Sequence, residues 1–229
     1  MSDSEQGAAQ GTARRQFLGQ IAASALVLAG GACATPAAVA SGGTQGPGPT
    51  SGTASRSGGQ TAWDDTWTTR LTAKHKAVFD SPEIDDGLAL SHATSYVRAM
   101  HDALGSDDAQ TVVVIRHHAI PLIFNDAMWT KYPIGEDKNV KDRSGQWATK
   151  NPHTSQIATQ LLARGHIVLG CDLATRNYSG VLAGKAHGDR NAIYEELKAN
   201  LIPGVILQPT GVYAAHRAQE VGCTYIRST

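Results

Sequence analysis

Cys171 ends the apolar run His166–Cys171 (HIVLGC), and Asp172 follows it at once. A second run, Thr111–His117 (TVVVIRH), ends in His117 with His118 next to it. A thiol, two imidazoles and a carboxylate are the side chains of nucleophilic and soft-metal chemistry. The thiolate is the reactive form of cysteine, and imidazole or a helix N-terminus beside it favours that form. Cys171 is therefore a candidate thiol site with His117 and Asp172 as catalytic candidates. Its alternative is a buried, inert cysteine, a common state of this residue type. Imidazole with thiolate also suits copper or zinc, although the pair lacks HxxxH spacing. Adjacent residues on extended chain point to opposite faces, so the sequence predicts that only one of His117 and His118 faces the site.

These residues need elements to hold them. Lys74–Asp80 reads as a first strand. Ser81-Pro82-Glu83 then has the form of a helix start, with Glu83, Asp85 and Asp86 suited to the positive end of the dipole. Ala89, Ala93, Val97, Met100 and Leu104 recur at helical spacing up to Gly105. Thr111–His117 reads as a strand buried on both faces. Ser155–Arg164 reads as a short helix and His166–Cys171 as the third strand. Asn191–Asn200 reads as a helix, Val205–Gln208 as a strand, Val212–Val221 as a helix and Cys223–Arg227 as the last strand. The alternation predicts a three-layer α/β/α fold with a mostly parallel five-stranded sheet. Ligands of such sheets bind beyond the carboxyl ends of the strands. That rule selects Asp80 and Ser81, His117 and His118, Cys171 and Asp172, and Thr210. Arg116, Trp129, Lys131 and Tyr132 are further candidates, either as lining of a pocket or as oligomer contacts. The polar stretch 133–153 is long for a connection and reads as a lid or a disordered excursion.

Cys171 ends a strand and Cys223 begins one. In a parallel sheet those are opposite edges, about 15–20 Å apart. A disulfide needs Cα atoms within about 7 Å, so the two are not expected to pair.

The chain has 229 residues, 20 Lys+Arg and 20 Asp+Glu. The balance argues against a broadly cationic binder of nucleic acid or membrane surface. Three cysteines exclude a disulfide-dense scaffold and a four-cysteine zinc site. Neither GxGxxG nor GxxxxGK[ST] occurs, which removes the main support for nucleotide binding. Arg14-Arg15-Gln16-Phe17-Leu18 followed by the short apolar run Ile21–Ala29 resembles a twin-arginine export signal over 1–40. The run is too short to span a bilayer. The expected location is periplasmic or otherwise exported, with a lipid anchor on Cys33 as the alternative. Residues 41–62 are rich in Gly, Ser, Thr and Pro and read as a tether, leaving 63–229 as the folded domain.

The stretch Ile202–Val212 (IPGVILQPTGV), then Ala218–Gly222 (AQEVG) and Tyr225-Ile226-Arg227, resembles the end of the DsrE/DsrF-like family, named for intracellular sulfur oxidation. His166–Asp172 resembles the family's strand that ends in a cysteine. Val114–His117, Trp129, Lys131-Tyr132, Gly135-Glu136 and Asn151-Pro152 resemble an exported branch of it. The resemblance implies an α/β/α fold and a persulfide-carrying role for Cys171. It also implies a homo-oligomer, trimer or hexamer, and a partner protein in sulfur relay. Asp172-Leu173-Ala174 departs from the small-residue context usual after that cysteine. Three functions follow as expectations. One is an exported sulfur carrier or accessory protein using Cys171. The second is a small-ligand or metal-binding module built on His117 or His118. The third is an oligomeric assembly protein without chemistry.

Overall fold

The computed structural model describes residues 63–229; the stretches read as an export signal (1–40) and a tether (41–62), with Cys33, lie outside the described residues. Five strands form one sheet: β1 (His75–Ser81), β2 (Ala109–Ile115), β3 (Ile167–Cys171), β4 (Ile206–Gln208) and β5 (Thr224–Arg227). Their order is β4-β3-β2-β1-β5, and every pairing is parallel. The sheet thus has all its carboxyl ends on one edge. The helices are α1 (Leu88–Leu104), α2 (Asp126–Lys131), α3 (Ile134–Asp137), α4 (Asp172–Ala186), α5 (Arg190–Ala199) and α6 (Gly211–Glu220).

Alternate residues of the central strands feed two cores, as the two-residue period of a strand requires. Phe79, Val113, Ile115 and Val168 pack with Leu90 of α1, Tyr178 and Leu182 of α4 and Leu197 of α5. Val78, Val112, Val114, Ile167 and Leu169 face the other way, onto Trp67 and onto Ala214, Ala215 and Ala218 of α6. Helices therefore cover both faces of the sheet. Among the described residues no helix is long and apolar enough to cross a membrane.

The strands fall within two residues of their sequence-predicted bounds. Local differences have local causes. The helix expected from Pro82 begins at Leu88, because Asp85 and Asp86 take left-handed φ values of 41° and 48° and Gly87 one of 72°. Ser81 stays in β1 and its hydroxyl donates to the Glu83 carbonyl instead of capping a helix. Ser155–Arg164 is a π-helical turn over Gln156–Leu161 and a 3-10 turn over Leu162–Arg164. The stretch 133–153 is folded against the core. Ile134 and Ala148 are buried, and a Cβ on Gly135 would sit 2.2 Å from the Ala148 carbonyl oxygen. That contact fixes the segment as structure, not as a disordered excursion. Finally, α4 lies where no helix was expected.

Candidate functional site

A cleft of about 370 Å³ opens at the carboxyl edge of the sheet. Its walls come from three sources. Arg116, His117 and His118 follow β2. Cys171, Leu173, Ala174, Asn177, Tyr178 and Val181 come from the end of β3 and from α4. Thr210, Gly211 and Val212 come from the start of α6, and Lys138 closes one side.

Cys171 is both the last residue of β3 and the N-cap of α4. Its Sγ accepts a hydrogen bond from the Ala174 backbone N–H at 3.3 Å, while the Thr175 hydroxyl donates to the Cys171 carbonyl at 3.0 Å. Capping normally falls to Ser, Thr, Asp or Asn. Here sulfur takes the place of oxygen, so the Ala174 amide and the positive end of the dipole of a 15-residue helix face the thiol, while the Leu173 amide donates to the Pro209 carbonyl. A second helix start borders the same cleft. Thr210 caps α6, its Oγ1 accepting from the Tyr213 N–H at 3.0 Å. A negative charge forming on sulfur would meet favourable dipoles from two sides.

Arg116 supplies the full positive charge. Its Nε and one terminal nitrogen donate to Asp80 at 2.7 and 2.8 Å. Asp80 is buried, and its Oδ2 also accepts from the Tyr225 hydroxyl at 2.6 Å. The hydrogen bonds to Asp80 raise the guanidinium pKa. Burial works against them, and the charges of Asp80, Tyr225 and Cys171 add to them. Asp80 therefore does not line the cleft; it aims Arg116 from below. Gly211 makes the placement feasible, since a Cβ there would fall 2.6 Å from Cβ and Cδ of Arg116.

Comparison with known proteins adds little to this site. No family model matches the chain, and no curated protein matches it. A solved structure that is similar is that of a protein of unknown function, MTH1491, from Methanobacterium thermoautotrophicum. It is 18% identical with a TM-score of 0.41, over 67% of this chain and 98% of that one.

The histidine pair departs from expectation. β2 ends at Ile115, and His117 has a left-handed φ of 53° at the start of the 3-10 segment His117–Ile123. The chain is not extended there, so both imidazoles turn to the cleft, edge to face with centroids 4.0 Å apart. The carboxylate that joins them is Glu83, not Asp172, and Cys171 is not part of that cluster.

Asp172 is buried and fully engaged. Its Oδ2 accepts from Arg176 at 2.7 Å and its Oδ1 from the Tyr194 hydroxyl at 2.5 Å. It ties α4 to α5 and does not reach the cleft as an acid or base. Trp129 is also corrected: its ring is fully buried, and its Nε1–H donates to the Pro121 carbonyl at 3.0 Å. Tyr132 and Lys131 border a separate hollow with Glu136, Asp137 and Lys185, and both bind Glu196. Arg116 thus parts company with the three residues grouped with it.

Four lining residues of α4, Leu173, Asn177, Tyr178 and Val181, were not legible in the sequence. Nor was Lys138. Its ammonium lies 4.5 Å from the centre of the Tyr178 ring and 3.3 Å from Asp137. The Tyr178 hydroxyl donates to Asp137 at 2.9 Å. Burial first, then the charge of Asp137 and this hydrogen bond, push the Tyr178 pKa far up, so it stays a phenol. Cys223 precedes β5 at the opposite edge, free like Cys171. Burial pushes its thiol up to about 11, against the opposing effect of Lys76.

Proposed function

We propose that this chain is a sulfur carrier or accessory protein that loads and passes sulfur at Cys171. The observation that carries the reading is the Cys171 thiol acting as the cap of α4 in a cleft that also holds Arg116. A helix N-terminus and a guanidinium are suited to a sulfur anion. The sequence resemblance to the DsrE/DsrF-like family supports the same assignment, as does the α/β/α fold.

The transfer needs no external oxidant. The Cys171 thiolate attacks the outer sulfur of a donor persulfide, R–S–SH. A new S–S bond forms as the donor S–S bond breaks, giving Cys171–S–SH and R–S⁻. The donor's proton stays on the transferred sulfur, and the electron pair of the broken bond leaves on R–S⁻. Arg116 and the Ala174 amide at the start of α4 stabilise the anions on either side of the step.

Leu173, Val181 and Val212 stand on the rim of the cleft, each at least 47% exposed. Exposed apolar residues around a reactive centre suit a protein donor or acceptor better than a free metabolite. A relay partner, a homo-oligomeric state and export by the twin-arginine route belong to this same reading. The test is sulfur uptake from a cysteine-persulfide donor, followed by intact mass. Wild type and Cys223→Ser are expected to gain mass in sulfur increments, and Cys171→Ser is expected not to. Equal uptake by Cys171→Ser would overturn the reading.

A further inference from the structure

We propose that Glu83, His117 and His118 form a binding site for a divalent transition ion of the zinc type, at the mouth of the cleft and separate from Cys171. Their donor atoms all lie within 4.8 Å of one another. His117 Nδ1 is already 3.5 Å from Glu83 Oε1. Two ligand atoms on a tetrahedral zinc ion are about 3.4 Å apart, because Zn–N and Zn–O bonds are about 2.0–2.2 Å. The widest pair must therefore close a gap of at most about 1.4 Å. All three side chains are exposed and free to close it.

The fold brings the ligands together by register. Ser81 of β1 pairs with Ile115 of β2. Glu83 lies two residues beyond the first and His117 two beyond the second, so the parallel ladder delivers both to the same place. Backbone hydrogen bonds hold the two exits in step. Arg116 N–H donates to the Ser81 carbonyl and Ala119 N–H to the Pro82 carbonyl, both at 3.0 Å. The left-handed backbone of His117 then turns His118 to the same side. A non-glycine residue rarely adopts that conformation, and such strain gathers at functional positions.

Two imidazoles and one carboxylate suit zinc and its neighbours, and three protein ligands leave a position open for a fourth. The surrounding charge is compatible. Lys138 shares a hollow with Glu83 and His118, but it is paired with Asp137, and Asp85 borders the same hollow.

The test is calorimetric titration of the full chain with zinc chloride. One ion per chain is expected, with affinity kept in Cys171→Ser. Glu83→Gln, His117→Gln and His118→Gln are each expected to weaken it by more than about tenfold, a loss already usual for residues one shell further out. These positions are exposed, and unchanged metal-free melting would show that the variants fold. Absence of saturable zinc uptake, wild-type affinity in any of the three variants, or loss in Cys171→Ser would overturn the site. The Cys171→Ser arm also separates this site from the sulfur reading, which fails or stands on that thiol alone.

Discussion

Asp80 grips Arg116 through two hydrogen bonds, 2.7 and 2.8 Å long, although the two residues lie 36 positions apart. The pair joins β1 to the segment after β2, and it points a cation at the cleft that contains Cys171. The carboxylate is almost wholly buried and the guanidinium about 29% exposed.

Replacing Asp80 by Asn tests both roles of this pair. Breaking a buried ion pair costs about 3–5 kcal/mol because one charge is left without its partner. Arg116 keeps some solvent, so the expected loss is about 2–3 kcal/mol, at and below the bottom of that range. Urea unfolding at neutral pH measures it. Slower sulfur uptake at Cys171 is expected alongside, since Arg116 loses its anchor. A fully stable variant with wild-type uptake would show that the pair positions nothing.

Gly211→Ala is expected to act through the same arginine. The added methyl would meet Cβ and Cδ of Arg116 at 2.6 Å. Cβ lies next to the backbone, so rotation of the far end of the side chain does not relieve the clash. Overpacking of this kind costs about 1–3 kcal/mol. The cleft should also lose its guanidinium. Thermal melting and uptake kinetics check the two effects; a variant that melts and takes up sulfur as wild type does would show that the arginine is not held against this glycine.

The first and last thirds of the site differ in how far they could be read. β3 announces itself as an unbroken apolar run, so the place of Cys171 at a carboxyl edge follows from sequence. The helix it caps does not. The buried face of α4 is Ala174, Thr175, Tyr178, Ser179 and Leu182, small or polar at most positions, and gives no helical stripe of large apolar residues. The histidine pair differs for another reason. The apolar run ending in His117 implies strand geometry through that residue, whereas the chain leaves β2 at Ile115 and turns left-handed. Nothing in His-His marks that turn. The sequence places Glu83 at a helix start, and its meeting with the histidines depends on the register of β1 with β2, which periodicity does not encode. Trp129 illustrates the opposite case, an aromatic whose polar atom finds a backbone partner and which can then be buried whole.

His166 predicts a pH dependence of stability. Its ring is buried just before β3, and Nδ1 accepts the Thr111 backbone N–H at 3.2 Å. That acceptor role requires the neutral ring with its proton on Nε2. Burial lowers its pKa below the ordinary value of 6.5, and the nearby charge of Arg164 lowers it further. The unfolded chain therefore takes up a proton first as pH falls. This contribution is present above pH 6.5 and is lost as pH drops below it toward the folded value. His153, whose pKa burial also lowers, against a smaller opposing effect from Gln156, adds in the same direction. Urea midpoints measured from pH 7.5 down to pH 5 should fall. In His166→Asn, whose side-chain oxygen can accept the same N–H, the fall should be shallower. An unchanged slope would show that this ring does not carry the effect.

The most direct measurement is an intact mass spectrum of the chain purified from its native cells without reductant, with peptide mapping of the cysteines. Mass in sulfur increments on the Cys171 peptide, removed by added thiol and absent from Cys171→Ser, is the predicted result. A clean mass, or sulfur held on Cys223 with Cys171 unmodified, would contradict the assignment of Cys171 as the carrier.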